Sequence, residues 1–372
     1  MSTSSARARI ECLYPIGNRL AVPERRGRWK LINRSNFAVN GIVATDASIM
    51  SPSVVAESSQ GLQQLPFKPE GYNYWTWRGY RIHYVEQGEG FPIVLIHGFA
   101  SSSFHWRYNI PELAKRYKVY ALDLLGFGWS EKARTDYDAL IWRDQAVDFL
   151  KEIVKQPAVL VGNSLGGFTT LLAAAVLPDQ VKGVSLLNSA GRFGDNVSIT
   201  DKTEETALHK FIIKPVEEIF QRIVVRLAFW ITMQPDQIEA VLKSGVYGNH
   251  SNVDDYLINS IVRPAADPNA WEVYYRLVTQ LMSNPTKYTL DSVLSQLSCP
   301  LLLLWGELDP WVHDHAKPNR IKDFYPNTSL VNLQAGHYPQ DEVPEQVNKA
   351  LLDWLSSALE ISAPSLETVS ET

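Results

Sequence analysis

Three residue types in this chain stand at spacings that could do chemistry: a serine between glycines, an aspartate after an apolar run, and a histidine near the end. Gly162-Asn163-Ser164-Leu165-Gly166 has the G-x-S-x-G spacing of a nucleophile elbow. In such a turn a strand meets a helix so tightly that the serine is strained, and glycines stand where side chains would strike neighbouring backbone. The helix behind it adds a positive N-terminus beneath a developing oxyanion. Serine is a weak nucleophile at neutral pH, so a base is required. Of the eight histidines, His337 in Gln334-Ala335-Gly336-His337 follows the last apolar run and precedes the last helical pattern. The run Leu301-Leu302-Leu303-Leu304 leads into Trp305-Gly306-Glu307-Leu308-Asp309-Pro310. Asp309, on the far side of that loop, is the expected carboxylate, with Glu307 and Asp314 as fallbacks. Its task is to hold the imidazole tautomer and favour the imidazolium, not to take the proton. The chemistry expected is acyl transfer, with Ser164 as nucleophile, His337 as base and Asp309 behind the base.

Such chemistry needs an oxyanion hole made of two backbone N–H groups, each worth about 2.7–4 kcal/mol in the transition state. Leu165, next to the serine, and Phe99, in the loop His97-Gly98-Phe99-Ala100-Ser101, are the expected donors. His97 is expected to shape that loop, and His83 to face outward from a strand. His313 and His315, spaced i, i+2, suit no metal site. The Gly-rich turn Asp123-Leu124-Leu125-Gly126-Phe127-Gly128-Trp129-Ser130 lacks the Lys-Ser/Thr ending of a phosphate loop. It reads as a structural turn with Asp123 as a hydrogen-bonding acid. No cofactor and no metal are expected.

The elements that must position these residues follow from hydrophobic pattern. Tyr74–Trp77 and Ile82–Val85, joined through Arg78-Gly79, read as a hairpin. Pro92–Ile96, Lys118–Leu122, Ala158–Val161, Val181–Leu187, Leu301–Trp305 and Leu330–Leu333 are short apolar runs. Helical spacing covers Asp138–Lys155, Leu165–Leu177 and Pro344–Leu359. Strand and helix in alternation predict an α/β fold with a mostly parallel sheet and helices on both faces. Residues 191–290 carry no strand signal and are helical and aromatic-rich, which predicts a helical cap inserted above the carboxyl ends of the strands, where ligands bind in open α/β sheets. The expected layout is a leader over 1–45, a linker over 46–70, a core over 71–190 and 291–359, the cap, and a disordered acidic tail over 360–372. Within the cap, Ile219–Met233 places Phe220, Leu227 and Trp230 at helical spacing with Arg222 and Arg226 among them. These three apolar residues are the candidates for binding a lipophilic substrate or for meeting a membrane, and a cap helix packed on the core is the alternative.

Composition narrows the classes. Hydrophobic residues make up 45% and charged residues 20%, an ordinary globular mixture. Two cysteines, Cys12 and Cys299, exclude a disulfide framework and a thiolate zinc site. Residues 1–45 hold eight Lys or Arg against two acids, a net of +6 that leaves −11 for the rest. A basic, Ser- and Arg-rich start on an acidic body reads as an organelle transit peptide and not as a nucleic-acid surface. Composition leaves chloroplast and mitochondrion open. Since the sequence has no run of about 18 apolar residues, membrane contact is expected to be peripheral.

Taken together, these residues resemble the α/β-hydrolase superfamily over roughly residues 72–358, in which serine, acid and histidine occur in this chain order. More narrowly, Val161-Gly162-Asn163-Ser164-Leu165-Gly166-Gly167-Phe168, Leu186-Leu187-Asn188-Ser189-Ala190-Gly191 and the Asp123–Ser130 turn are similar to chloroplast and cyanobacterial hydrolases. The chlorophyll dephytylases stand out among these, with the pheophytinases as near relatives; the moderate length suits the former better. The resemblance implies hydrolysis of the phytyl ester of chlorophyll to chlorophyllide and phytol, in plastids and at the thylakoid membrane. Its partner would be a small lipophilic ester, chlorophyll or pheophytin, with no nucleic acid. Two rivals remain open at this level: another carboxylic-ester or C–C hydrolase on the same scaffold, and a low-turnover receptor that keeps the triad. Ser164 argues against epoxide hydrolases and haloalkane dehalogenases, which use an aspartate at the elbow.

Overall fold

Among the described residues the strands, in chain order, are β1 (Asn73–Trp77), β2 (Tyr80–Gln87), β3 (Pro92–Ile96), β4 (Lys118–Leu122), β5 (Ala158–Asn163), β6 (Val181–Leu187), β7 (Leu301–Gly306) and β8 (Thr328–Leu333). They form one sheet in the order β1-β2-β4-β3-β5-β6-β7-β8. A computed structural model describes residues 61–194, 214–283, 288–311 and 314–362. The expected leader, the linker up to residue 60, His209, His313 and the tail beyond Ser362 lie outside the described residues.

The hairpin β1–β2 pairs antiparallel, and β2 joins β4 antiparallel. All pairings from β4 to β8 are parallel. Side chains alternate across a strand, and both faces of this sheet are covered. Val94 and Ile96 join one core with Leu160, Leu186 and Leu303, packed under the helices Ala139–Phe149 and Leu165–Val176. Ile93 and Leu95 join a second core with Val161, Leu304, Trp106 and Leu351, under the closing helix Pro344–Ser362. Burial on both faces is why β3 reads as an unbroken apolar run.

Register places the site. Ile96 pairs with Gly162, Gly162 with Leu186, Leu187 with Leu304, and Gly306 with Leu333. The carboxyl ends of β3, β5, β6, β7 and β8 therefore form one rim, and the residues that follow each strand emerge side by side.

Several details differ from the sequence reading. Packing begins before Tyr72: Leu65 is buried, and its N–H donates to the Arg107 carbonyl at 2.8 Å. The helix over Asp138–Lys155 is capped by the Asp138 side chain and changes to a π-helical turn at Leu150–Val154, ending at left-handed Lys155. Two short pieces unread in the sequence, Ser103–Trp106 and Asn109–Leu113, cover one face of the sheet.

Between β6 and β7 the described residues form the helices Lys214–Thr232, Pro235–Gly245, Asp255–Ala265, Ala270–Ser283 and Leu290–Leu294. A small core of their own, with Ile238, Leu242, Val246, Tyr247, Val253 and Leu257, also takes in Tyr338 from the loop after β8.

Candidate active site

Strand β5 runs directly into Ser164, which sits at φ 51° and ψ −117°, a region side chains avoid. Neighbouring glycines explain how this is tolerated. A Cβ on Gly166 would lie deep inside the Ile96 carbonyl, and one on Gly162 deep inside the Gly166 carbonyl. Helix Leu165–Val176 can therefore start pressed against β3 and β5. Main-chain bonds hold the strained residue: Ser164 N–H donates to Leu187 at 2.9 Å, and its carbonyl accepts from Ala190 at 2.9 Å and Phe168 at 3.2 Å.

The loop after β3 lies against this turn, since a Cβ on Gly98 would stand 3.1 Å from Ser164 Cβ. Phe99 follows Gly98, and its carbonyl accepts from the Tyr338 hydroxyl at 3.3 Å. Leu165 opens its helix, so its N–H has no intrahelical acceptor. Phe99 and Leu165 thus belong to the two segments that meet at the serine.

His97 and His83 are both buried. His97 Nδ1–H donates to the Gly98 carbonyl at 2.7 Å, and Nε2 accepts from Leu124 N–H at 3.0 Å. Burial pushes its pKa down, so the ring stays neutral and fixes the loop, as its position suggested. His83 does not face outward. Its Nδ1–H donates to Asp123 at 2.8 Å and its Nε2 accepts from Tyr72 N–H at 2.8 Å. The expectation fails because Asp123 needs an inward partner. That carboxylate also accepts from Ser103 N–H at 2.6 Å and Trp129 N–H at 2.7 Å. Burial alone would raise its pKa, but His83 and these donors hold it well below the usual carboxylate range. The Asp123–Ser130 turn is thus an internally bonded structural turn.

On the other side of the elbow, His337 Nδ1–H donates to Asp309 Oδ2 at 2.7 Å, with both side chains nearly buried. A carboxylate can only accept, which fixes the proton on Nδ1 and leaves Nε2 free to act as a base. Asp309 Oδ1 accepts from Trp311 N–H at 2.8 Å, and Oδ2 also accepts from Asn188 Nδ2 at 2.8 Å. Burial would raise the Asp309 carboxyl, yet the imidazole and these N–H donors hold it low. The Trp311 ring stacks on His337 with centroids 6.0 Å apart. Glu307 instead accepts from Gln334, and Asp314 faces Arg320. The His337 carbonyl accepts from Asn163 Nδ2 at 2.9 Å, which places the histidine backbone beside the residue that precedes Ser164. Among the described residues no hydrogen bond joins Ser164 to His337 itself; in sites of this kind that contact commonly tightens when substrate is bound.

Asn188 escaped the sequence reading as a site residue. It follows β6 at φ 42°, and its amide both donates to Asp309 and bonds the main chain of Gly306, where β7 ends. Asparagine tolerates this left-handed conformation, which is the signal that could have found it.

The three apolar candidates of the inserted helix are exposed. Phe220, Leu227 and Trp230 are 66%, 58% and 69% exposed, and they form an outward stripe with Ile223 and Ile231. The helix is oriented by its arginines. Arg222 pairs with Glu272 at 2.8 Å and lies over Tyr275, and Arg226 lies over Trp271. The stripe sits roughly a third of a turn away from that face at 100° per residue. Phe229, on the arginine side, packs at a tilt against Tyr274 with centroids 5.5 Å apart, and Tyr274 reaches Phe99 at 6.3 Å.

A mostly parallel sheet covered on both faces, with a strained serine after β5 and an acid–imidazole pair after β7 and β8, defines a hydrolase of the α/β-hydrolase superfamily. The Alpha/beta hydrolase family matches residues 93–350, and the chain belongs to that family. It is 28% identical over 314 residues to a chloroplastic pheophytinase of Arabidopsis thaliana, covering 74% of this chain and 64% of that protein. It therefore spans less than two thirds of that relative. It is 30% identical to the uncharacterized hydrolase YugF of Bacillus subtilis (strain 168), covering 74% of this chain and 93% of that protein. Among solved structures, a bacterial membrane phospholipase A described as a virulence factor superposes with a TM-score of 0.59 at 25% identity, covering 78% of this chain and 87% of that one.

Proposed function

We propose that the chain is a serine carboxylic-ester hydrolase that cleaves the phytyl ester of chlorophyll to chlorophyllide and phytol. The observation that carries the reading is the serine held at φ 51°, next to Asn163 whose amide bonds the main chain of His337, with the His337 Nδ1–H committed to Asp309. Ser164 Oγ attacks the ester carbonyl while His337 Nε2 takes its proton. The N–H groups of Phe99 and Leu165 stabilise the tetrahedral oxyanion. Collapse of that intermediate releases phytol, which leaves with the proton returned by His337. The acyl group, carrying the pigment ring, remains on Ser164 until water, deprotonated by the same imidazole, frees chlorophyllide.

Two observations support a lipophilic substrate: the similarity to a chloroplastic pheophytinase, and the exposed apolar stripe on Lys214–Thr232. A phytyl chain of about 20 carbons offers at most about 16 kcal/mol of burial at roughly 0.8 kcal/mol per carbon. Little of this is gained when the chain already lies in lipid, so the enzyme has to approach the lipid surface. Among the described residues no helix is long and apolar enough to cross a membrane. The stripe is suited to peripheral contact, which fits action at the thylakoid surface of a chloroplast after removal of the basic leader.

The test is incubation of the chain lacking residues 1–45 with chlorophyll a, chlorophyll b and pheophytin a, followed by separation of products. Chlorophyllide release that disappears in Ser164→Ala is the expected result. Release of pheophorbide alone points to the pheophytinase reaction. Turnover only on short esters or C–C substrates points to another hydrolase of this fold, and binding without turnover points to a receptor.

A further inference from the structure

Glu342 ends the short helix Pro339–Glu342 and is fully buried. Its Oε2 accepts from the N–H groups of Gly336 at 2.9 Å, Gly248 at 2.8 Å and Asn249 at 2.9 Å. Its Oε1 accepts from Tyr338 N–H at 3.2 Å. One side chain thus grips the main chain immediately before and after His337, and through Oε2 also grips a segment between the inserted helices Pro235–Gly245 and Asp255–Ala265. Desolvating a carboxylate is costly unless it is well bonded, and here backbone N–H groups offset that cost, with burial still raising its pKa.

The rest of the contact between these two segments runs in the same direction. His337 N–H donates to the Val246 carbonyl at 3.0 Å. A Cβ on Gly336 would stand 2.5 Å from the Val246 carbonyl and 2.6 Å from Gly248 N, so the loops touch backbone to backbone. Next to Glu342, Asp341 accepts from Arg107 Nε at 2.8 Å and from the Tyr247 hydroxyl at 3.0 Å. Buried Arg107 also donates to Asp254 at 2.6 Å and to the Asn252 carbonyl at 2.6 Å. Residues 246–254 and the histidine loop therefore form one hydrogen-bonded unit.

We propose that Glu342 is a positioning residue, whose carboxylate fixes the backbone on both sides of His337 and couples the aim of the imidazole to the seating of Gly248–Asn249. The base is then complete only when that part of the insertion is in place. The inference rests on the reading of His337 as the base. Small displacements of a catalytic group are expensive: about 1 Å costs on the order of 100-fold.

The experiment uses the full chain, p-nitrophenyl butyrate as substrate, and kcat and KM measured from pH 5 to 9. Glu342→Gln keeps the shape but turns an amide N–H₂ toward backbone N–H groups. The expected result is a fall in kcat of about 10- to 100-fold with KM within about twofold. The acidic limb of kcat/KM shifts to lower pH, because a misaligned Asp309 stabilises the imidazolium less. Glu342→Asp recovers part of kcat. Tyr247→Phe, which loosens the inserted segment without touching Glu342, lowers kcat by a few-fold in the same direction. Folding is followed by urea denaturation, and if Glu342→Gln does not fold, Glu342→Asp and Tyr247→Phe carry the readout. Folded variants with unchanged kcat and an unmoved acidic limb overturn the proposal and leave Glu342 a purely structural acid. When the parent chain depends on His337, judged by His337→Gln, that outcome removes this inference alone. Parent turnover that survives His337→Gln removes both this inference and the reading beneath it.

Discussion

The turn at Ser164 and the helix Lys214–Thr232 follow opposite rules. Around the serine nearly everything is decided by backbone: carbonyls of Ile96 and Gly166 stand where any side chain would go, and main-chain bonds hold the strained residue. Along the helix, side chains decide. Arg222 and Arg226 find Glu272, Tyr275 and Trp271, and so the apolar stripe turns outward. The first region fixes the backbone of the turn and leaves no room for added side chains. The second is held by a few contacts on one face and presents the other for use. A scaffold that keeps its chemistry while varying its substrate would be divided in this way.

The sharpest way to break this comparison is at Gly166. Gly166→Ala puts a methyl group inside the Ile96 and His97 carbonyls, and backbone on both sides leaves nowhere to move. A loss of about 3 kcal/mol or more in urea denaturation is expected, or failure to fold. Near-normal stability would mean that the elbow is looser than its contacts indicate. The matching change on the helix is Leu227→Ser with Trp230→Ser. Both side chains are exposed, so stability should stay within about 0.5 kcal/mol per site. The ratio of turnover on a vesicle-borne ester to turnover on a soluble ester should fall about tenfold, roughly 1.4 kcal/mol of lost surface affinity. An unchanged ratio would show that the stripe does not meet lipid.

The same contrast explains what could be read in the sequence. Strands β3, β4 and β6 were legible to the residue because burial on both faces favours apolar side chains along most of their length. The G-x-S-x-G turn was legible because backbone collisions dictate its glycines. Asp309 was legible from its loop after a strand, and the structure brings it to His337 at 2.7 Å. His83 was misplaced because alternation assigns a strand residue to a face but says nothing of Asp123 waiting there. The outward turn of Phe220, Leu227 and Trp230 was illegible for a similar reason: helical spacing gives the stripe, whereas its direction depends on partners in Ala270–Ser283. Glu342 left no trace, since a side chain that serves backbone N–H groups from distant loops needs no spacing and no partner residue type. The short helices Ser103–Trp106 and Asn109–Leu113 are too brief for periodicity to register.

The proposed reaction requires the Ser164 hydroxyl to be a nucleophile activated by His337. Incubation with a fluorophosphonate, followed by intact-mass analysis and peptide mapping, tests it most directly. One adduct per chain, on Ser164, is expected, with labelling slowed by at least about 1,000-fold in His337→Gln. An unlabelled Ser164 in folded protein, or labelling at an equal rate without the imidazole, would contradict it.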